Sequence, residues 1–305
     1  MSTVERLSKV TLAVTHPGIF HADDVCAIAW LQMQGCQAPV VRRNPTQEEL
    51  KDPNVLVVDV GGEYCQEAGN FDHHQRGGAG VRANGIPFAA FGLVYTAFPL
   101  FDGNIGDRFH EKMVLPIDAT DCGWGTMEGT RPVLSFSAVL AGFNPPAMPG
   151  YTVPADKRDD AFHRAVEVAK QVLENACFDS AAYQRAKESV RSALALEGGK
   201  LLLLDCFVQW QDHVFTRPDQ ADLLYVAYPS ERGGYCLQQM PKEPGSFEGR
   251  KPLPEAWRGL RGAALSSVVT LPEYGESTFC HPAGFIGGAE SLAGVVTMAR
   301  AAIAS

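Results

Sequence analysis

The chain has 305 residues, is 46% hydrophobic and 20% charged, and carries a net charge of −9. That length suits two domains better than one core, and no run of about 18 apolar residues is present to form a membrane-spanning helix. The negative balance is the wrong sign for a protein that coats itself with nucleic acid, so a polyanionic substrate would have to be held locally and with help from metal. The first ten residues lack the apolar core of a secretory signal, which makes the cytoplasm the expected compartment. Eight cysteines are scattered with no Cys-x-x-Cys pair. This predicts free thiols rather than a disulfide framework or a thiolate zinc site.

Residues 10–15 read as a strand that runs into a polar segment at 16–24. Val25, Ile28, Ala29 and Met33 recur at helical spacing, and Gly35 stops that helix. A second strand is expected at 40–41, and Thr46 followed by Glu49 is a capping-box pattern for a short helix. The continuous apolar run at 55–60 is that of a strand buried on both faces of a parallel sheet. Strand, helix and strand in this order predict an α/β fold with right-handed crossovers. Buried helices are expected at 88–101 and 131–143, on either side of a polar stretch holding Asp118 and Asp121. The Pro/Gly segment at 144–150 marks a boundary or a loop. Two helices are then expected at 156–177 and 179–197, followed by strands at 201–207, 222–228 and 235–240 and a closing helix at 291–303.

Ligands and catalytic groups of an α/β sheet sit beyond the carboxyl ends of its strands. Four polar clusters fall at or near such positions: His16 with His21, Asp23 and Asp24; Asp59, followed by Gly61 and Gly62; Asp72-His73-His74; and Asp118 with Asp121. An isolated Asp after a strand is usually a cap or turn former. Four of the eight histidines, however, lie within residues 16–74, each beside a carboxylate. Carboxylate and imidazole donors without thiolate favour two divalent ions, Mn²⁺ first, then Mg²⁺ or Co²⁺, with zinc last. Two such ions about 3.5–4 Å apart can activate a water and neutralise charge on a phosphoryl group. Asp59 is the expected bridge between them. No nucleophile elbow or P-loop segment competes with this reading.

These residues resemble the signature of the MYG1 branch of the DHH phosphoesterase superfamily. The likeness runs through Thr15-His-Pro-Gly-Ile-Phe-His-Ala-Asp-Asp24, Val57-Val-Asp-Val-Gly-Gly62, Phe71-Asp-His-His-Gln75 and Ile117-Asp-Ala-Thr-Asp121. It continues in Leu253-Pro-Glu-Ala-Trp-Arg-Gly-Leu260 and Cys280-His-Pro-Ala-Gly-Phe-Ile-Gly-Gly288, so it spans nearly the whole chain. The resemblance implies a DHH-type parallel-sheet catalytic domain at 1–145, a helical linker or extension at 146–199, and a smaller α/β substrate-binding domain at 200–305. It also implies a metal-dependent phosphodiesterase, a 3′-to-5′ exonuclease acting on single-stranded RNA or a short oligonucleotide. His16, His21, Asp23, Asp59, Asp72, His73 and His74 are the expected metal ligands. Asp118 and Asp121 compete for the last position, with Asp121 preferred. His73, His74, Asp59 and Arg76 are the expected catalytic groups, Arg76 gripping the scissile phosphate.

For the substrate chain, Arg250, Lys251 and Arg258 form a locally positive stretch with Phe247 and Trp257 interleaved, a pattern that can stack bases or be a solvated loop. His281, Gly284, Gly287 and Gly288 read as a glycine-rich turn before the closing helix that could seat a phosphate. The rival readings are a small-substrate phosphatase, pyrophosphatase or cyclic-dinucleotide phosphodiesterase, and a metal-stabilised binding protein without turnover.

Overall fold

In the computed structural model, residues 3–101, 103–124, 127–128, 131–132, 134–269 and 277–305 are described. The chain divides into two compact units, Met1–Ser180 and Ala181–Ser305.

The first unit opens with helix α1 (Thr3–Leu7), strand β1 (Leu12–Thr15), helix α2 (Ala22–Met33), strand β2 (Val40–Arg42) and strand β3 (Val55–Val58). Strands β4 (Tyr64–Cys65) and β5 (Asn70–Phe71) complete a five-stranded sheet of order β2-β1-β3-β5-β4. β1 runs parallel to β2 and β3, and β3 runs parallel to β5; only β4 is antiparallel. All four residues of β3 are buried, as a continuous Val/Leu run between two covered faces requires. Thr46 and Glu49 do form the reciprocal cap: the Glu49 amide donates to Thr46 Oγ1 at 3.2 Å, and the Thr46 amide to Glu49 Oε2 at 2.8 Å.

Ten consecutive residues of α2, Ala22 to Leu31, are buried. A helix apolar all round must be enclosed on every side. α2 packs against helix α3 (Ala90–Ala97), helix α5 (Leu115–Asp121) and helix α6 (Phe136–Ala141). Helix α4 (Gly103–Phe109) leads through a π-helical turn at His110–Val114 into α5. The core of this unit centres on Trp30, whose indole N–H donates to the Phe98 carbonyl at 2.8 Å. The helix expected at 131–143 is shorter than its pattern. Arg131–Pro132 (β7) instead pairs with Met127–Glu128 (β6), residue 133 lies outside the described residues, and only Leu140 of α6 is buried.

The two helices expected at 156–177 and 179–197 are one, α7 (Ala155–Ser192). No Gly or Pro interrupts Cys177-Phe-Asp-Ser-Ala-Ala182, so helical hydrogen bonding continues through it. Residues 194–196, expected to prolong the second helix, form strand β8 (Leu194–Leu196).

The second unit is a six-stranded mixed sheet. β8 is followed by β9 (Leu201–Leu203), β10 (Tyr225–Pro229), β11 (Tyr235–Gln239), β12 (Ser277–Cys280) and β13 (Ile286–Ala289), in the order β12-β13-β11-β10-β9-β8. Helix α8 (Gly262–Val269) and the closing helix α9 (Leu292–Ala304) pack on it, with Trp257 and Met298 in the shared core. The Ser291 hydroxyl caps α9 by accepting from the Gly294 amide at 3.0 Å, as its place before an apolar run predicts.

Candidate metal centre

Parallel pairing sets the first three clusters side by side. Thr15 is in register with Val58, and Val58 with Phe71. The next residue along each strand is therefore His16, Asp59 or Asp72, at one edge of the sheet. Asp59 turns the chain there in the left-handed region, at φ 57°, a conformation that Asp tolerates better than most side chains and that costs free energy at sites of this kind. The amino end of α2 supplies the second layer. Asp24 accepts from the His21 amide at 3.0 Å, closing a capping box that fixes the first turn, and the positive end of the helix favours the carboxylates of Asp23 and Asp24. Asp121, the last residue of α5, completes the ring.

The geometry around these side chains is unusual for a folded interior. Asp23, Asp24 and Asp59 are almost wholly buried, and their donor atoms lie within 4.8 Å of one another. His73 Nε2 faces three carboxylates: Asp59 at 3.2 Å, Asp121 at 3.3 Å and Asp23 at 3.6 Å. His16 Nδ1 lies 3.0 Å from the Pro17 carbonyl. A carbonyl only accepts, so Nδ1 carries a proton and Nε2 is the nitrogen turned to the carboxylates. That nitrogen points between Asp24 Oδ2 at 3.1 Å and Asp59 Oδ2 at 3.4 Å. His16 Nε2, both oxygens of Asp23, Asp24 Oδ2, Asp59 Oδ1 and His73 Nε2 are all buried without a hydrogen-bond partner. Buried polar atoms are nearly always paired, and leaving one unpaired costs about 1–3 kcal/mol. Four carboxylate oxygens and two imidazole nitrogens left in this way are what a cationic guest would satisfy.

The titration behaviour has the same origin. Burial, then the charges of Asp59, Asp121 and Asp24, push Asp23 well above the ordinary carboxylate range. Burial also raises Asp59, against the pull of His73 and His16. For His16, burial alone would depress the imidazolium, but Asp24 and Asp59 outweigh it and carry the group up to about 9. His73 is raised in the same way by Asp59 and Asp121. Without a cation, protons must do the neutralising.

Asp72 has a different part. Its Oδ1 accepts from the His73 and His74 amides at 2.8 and 3.1 Å and from His74 Nδ1 at 2.8 Å, while Oδ2 accepts from the Gly62 amide at 2.5 Å. Although burial opposes it, these bonds hold its carboxyl below the usual range. The bond to Asp72 fixes the proton on Nδ1 of His74, which also lies 3.4 Å from Asp59 Oδ1. His74 and His21 are the exposed members, and each belongs to a triad with Asp59 or with Asp23 and Asp121.

Asp118 lies outside the ring. Arg82 Nη2 donates to its Oδ2 at 2.5 Å, and the Gly92 amide to its Oδ1 at 3.0 Å. Burial still lifts it to about 6 against the opposing pull of Arg82. A Cβ on Gly92 would lie 1.9 Å from this carboxylate, so the glycine makes room for the pair. Asp24 is the reverse case, a cap that also turns an oxygen into the ring. Arg76 is exposed next to the histidine pair.

A family model named MYG1_exonuc, described as an uncharacterised protein family (UPF0160), matches residues 12–100 and 103–303. The chain belongs to the MYG1 family. It is 31% identical to the MYG1 exonuclease of Homo sapiens, over 95% of this chain and 85% of that protein. The MYG1 exonuclease of Rattus norvegicus is also 31% identical, over 95% and 84%. The MYG1 protein of Dictyostelium discoideum is 26% identical over 96% of each chain. No solved structure matches.

In the second unit of this MYG1-family chain, the basic stretch is occupied with its own backbone. Arg250 donates to the carbonyls of Gln220 and Leu223 and to Gln220 Oε1, and lies over the Phe215 ring. Lys251 Nζ donates to the Ile303 carbonyl at 2.9 Å, at the carboxyl end of α9, and Arg258 Nε to the Leu253 carbonyl at 3.1 Å. Trp257 is core, whereas Phe247 is fully exposed. The glycine-rich segment is a hairpin. His281 and Gly284 form its turn between β12 and β13, and Gly287 and Gly288 lie within β13. Close cross-strand packing explains the last two, since a Cβ on Gly288 would come within 2.8 Å of the Tyr235 carbonyl. His281 is exposed, and its Nδ1 accepts from the Ala283 amide at 3.1 Å.

Proposed function

We propose that the chain is a metal-dependent phosphodiesterase, an exonuclease that shortens single-stranded RNA from its 3′ end. The observation that carries this reading is the clustering of six unpartnered buried atoms from His16, Asp23, Asp24, Asp59 and His73 around Asp59, in overlapping donor groups that each span no more than 4.8 Å. The human and rat relatives are named exonucleases. His16, Asp23, Asp24, Asp59 and His73 would hold one part of a two-ion centre, with His21, His74 and Asp121 at its open side. Divalent ions held there, Mn²⁺ first by donor type, would supply Lewis-acid polarisation of a phosphoryl oxygen and acidify the attacking water.

The protein's own residues do the rest. Asp72 keeps His73 and His74 in place and fixes the tautomer of His74. Gly61 and Gly62, together with Asp59 and His74, line an open cavity of about 410 Å³ on the exposed side. Arg76, exposed two residues after His74, would be the cation that grips the scissile phosphate.

A second reading, turnover of pyrophosphate or a very short oligonucleotide, is favoured by the engagement of Arg250, Lys251 and Arg258 with backbone carbonyls, which leaves them poorly placed to track a long polyanion. The deciding experiment is hydrolysis of RNA and DNA labelled at either end, and of pyrophosphate, by metal-stripped protein with Mn²⁺, Mg²⁺ or Zn²⁺ restored. Stepwise loss of RNA from the 3′ end, absent in Asp59→Asn, is the expected result. Cleavage of pyrophosphate alone would move the assignment to small substrates. Tight metal binding with no turnover of any substrate would leave a binding protein.

A further inference from the structure

A second cavity, also of about 410 Å³, is lined by His21 and Asp121. Both cavities are within the size range of small-molecule sites, and His21 lines both. Their chemistry differs. The cavity bounded by His16, Asp59 and His74 is polar and rich in ionisable groups. Among the described residues the second has only His21 and Asp121 as ionisable members, 3.9 Å apart. Ala22, Ile117, Ala138 and Ala141 supply the apolar part of its lining. Among the described residues its lining holds no cation besides His21, so its interior has little to offer a phosphate.

Three hydroxyls complete the wall, from Thr120, Ser135 and Ser137. Thr120 Oγ1 gives its proton to the Pro116 carbonyl at 2.8 Å, leaving its lone pairs as acceptors. Ser135 Oγ accepts from the Ala138 amide at 3.1 Å, leaving its proton to donate. Donors and acceptors above an apolar floor match a neutral, hydroxylated, partly flat group.

We infer that this cavity is the nucleoside subsite: it takes the sugar and base of one terminal nucleotide while the adjoining phosphate lies at the His21–Asp121 edge. The inference rests on the phosphodiesterase reading and sharpens it, because pyrophosphate has no neutral part to place there. Selection is then for a nucleoside end of any base, since among the described residues no Phe, Tyr, Trp or Arg lines the cavity to read a particular one.

The test is calorimetric binding of adenosine 5′-monophosphate, uridine 5′-monophosphate and inorganic phosphate to Mn²⁺-loaded protein. Both nucleotides should bind at least about tenfold tighter than phosphate, equivalent to about 1.4 kcal/mol. Ala141→Leu, at an exposed helix position, should remove most of that preference while metal stoichiometry and the thermal midpoint stay at wild-type values. Ala138→Leu, on the same face three residues earlier, carries the test if the first variant does not fold. Equal affinity for phosphate and nucleotide, or a preference that both leucine variants retain, overturns the subsite. Nucleotide binding that the variants abolish, without hydrolysis of any phosphodiester, would keep the subsite and discard the phosphodiesterase reading. Phosphodiester hydrolysis without any nucleotide preference would do the reverse.

Discussion

Asn144 takes both main-chain groups of Phe20. Its Oδ1 accepts from the Phe20 amide at 3.1 Å, and its Nδ2 donates to the Phe20 carbonyl at 2.9 Å, across 124 positions of sequence. Phe20 immediately precedes His21, and its buried ring meets Phe162 edge-on at 5.5 Å. On the other side of the same loop, Arg42 donates to the Gly18 carbonyl at 2.8 Å and pairs with Asp159 at 3.2 Å. The loop from His16 to His21 is therefore held at its backbone as well as at its two histidines. Asn144→Ala leaves two main-chain groups unpaired, at a cost of about 1–3 kcal/mol. It should lower both the thermal midpoint and Mn²⁺ affinity, the latter by about tenfold as is usual for groups that support a ligand. A variant with wild-type Mn²⁺ affinity in titration calorimetry would show that the loop needs no such support.

Asp59 combines a repelled charge with a strained backbone, and the two can be separated. Asp59→Asn keeps a side chain that accepts φ 57° and removes one of the crowded carboxylates. Metal binding should be lost in both Asp59→Asn and Asp59→Ala. In chemical denaturation without metal, the alanine variant should be the less stable by about 1 kcal/mol, since a Cβ without a compensating polar group is disfavoured there. Asp23→Asn should go further and stabilise the metal-free protein, because the repulsion among Asp23, Asp59 and Asp121 falls while the ligand is lost.

The raised pKa of His16 has a definite sign in stability. Its folded value of about 9 lies above the unfolded value of about 6.5. The stability it contributes is thus fully present below about pH 6.5 and is lost as the pH rises through about 9. Metal-stripped protein should lose thermal stability across that interval, and His16→Gln should flatten the decline. Divalent ions bound there would replace the proton, so their binding should release protons and tighten with rising pH over the same range. A pH-independent affinity would contradict this account of the orphaned nitrogen.

Asp118 and Asp121 should part cleanly. Asp118→Asn strands Arg82 in a buried setting and should destabilise the protein by about 3–5 kcal/mol with metal stoichiometry unchanged wherever it folds. Asp121→Asn should leave the fold intact and reduce metal affinity. Stoichiometry by elemental analysis after gel filtration separates the two, and loss of metal in Asp118→Asn at a temperature where it is folded would return Asp118 to the ligand set.

Arg250→Ala should reduce stability through the unpaired carbonyls of Gln220 and Leu223, with little effect on the KM for RNA. A large rise in KM at unchanged thermal midpoint would instead make Arg250 a substrate contact.

Much of the first unit was legible in the residues. Buried apolar runs end at Thr15 and Val58, and a polar residue that follows such a run in a parallel sheet has one place to go, the carboxyl edge. That reasoning brings His16 and Asp59 together, while Asp72-His73-His74 joins them through the two-residue strand β5, which is too short to leave an apolar run. Periodicity likewise located α2 and α9, because an apolar pattern at helical spacing has few other ways to be buried. Pairing was out of reach, since it depends on partners distant in sequence. Asp118 and Asp121 are both acidic residues on one short helix, and only Arg82, 36 positions away from Asp118, decides which of them is consumed. Asp24 looks like a cap and is one, yet its second oxygen serves the ring, a dual use that local sequence cannot reveal. Arg250, Lys251 and Arg258 look like free cations because carbonyl oxygens leave no mark in a residue pattern. Gly287 and Gly288 look like a phosphate turn because glycine serves loops and close strand contacts alike, and the neighbouring Tyr235 carbonyl tells them apart. Residue order thus dictates which groups emerge at the sheet edge, while the unlike burial of each charge, set by neighbours that only folding supplies, decides which are left to bind.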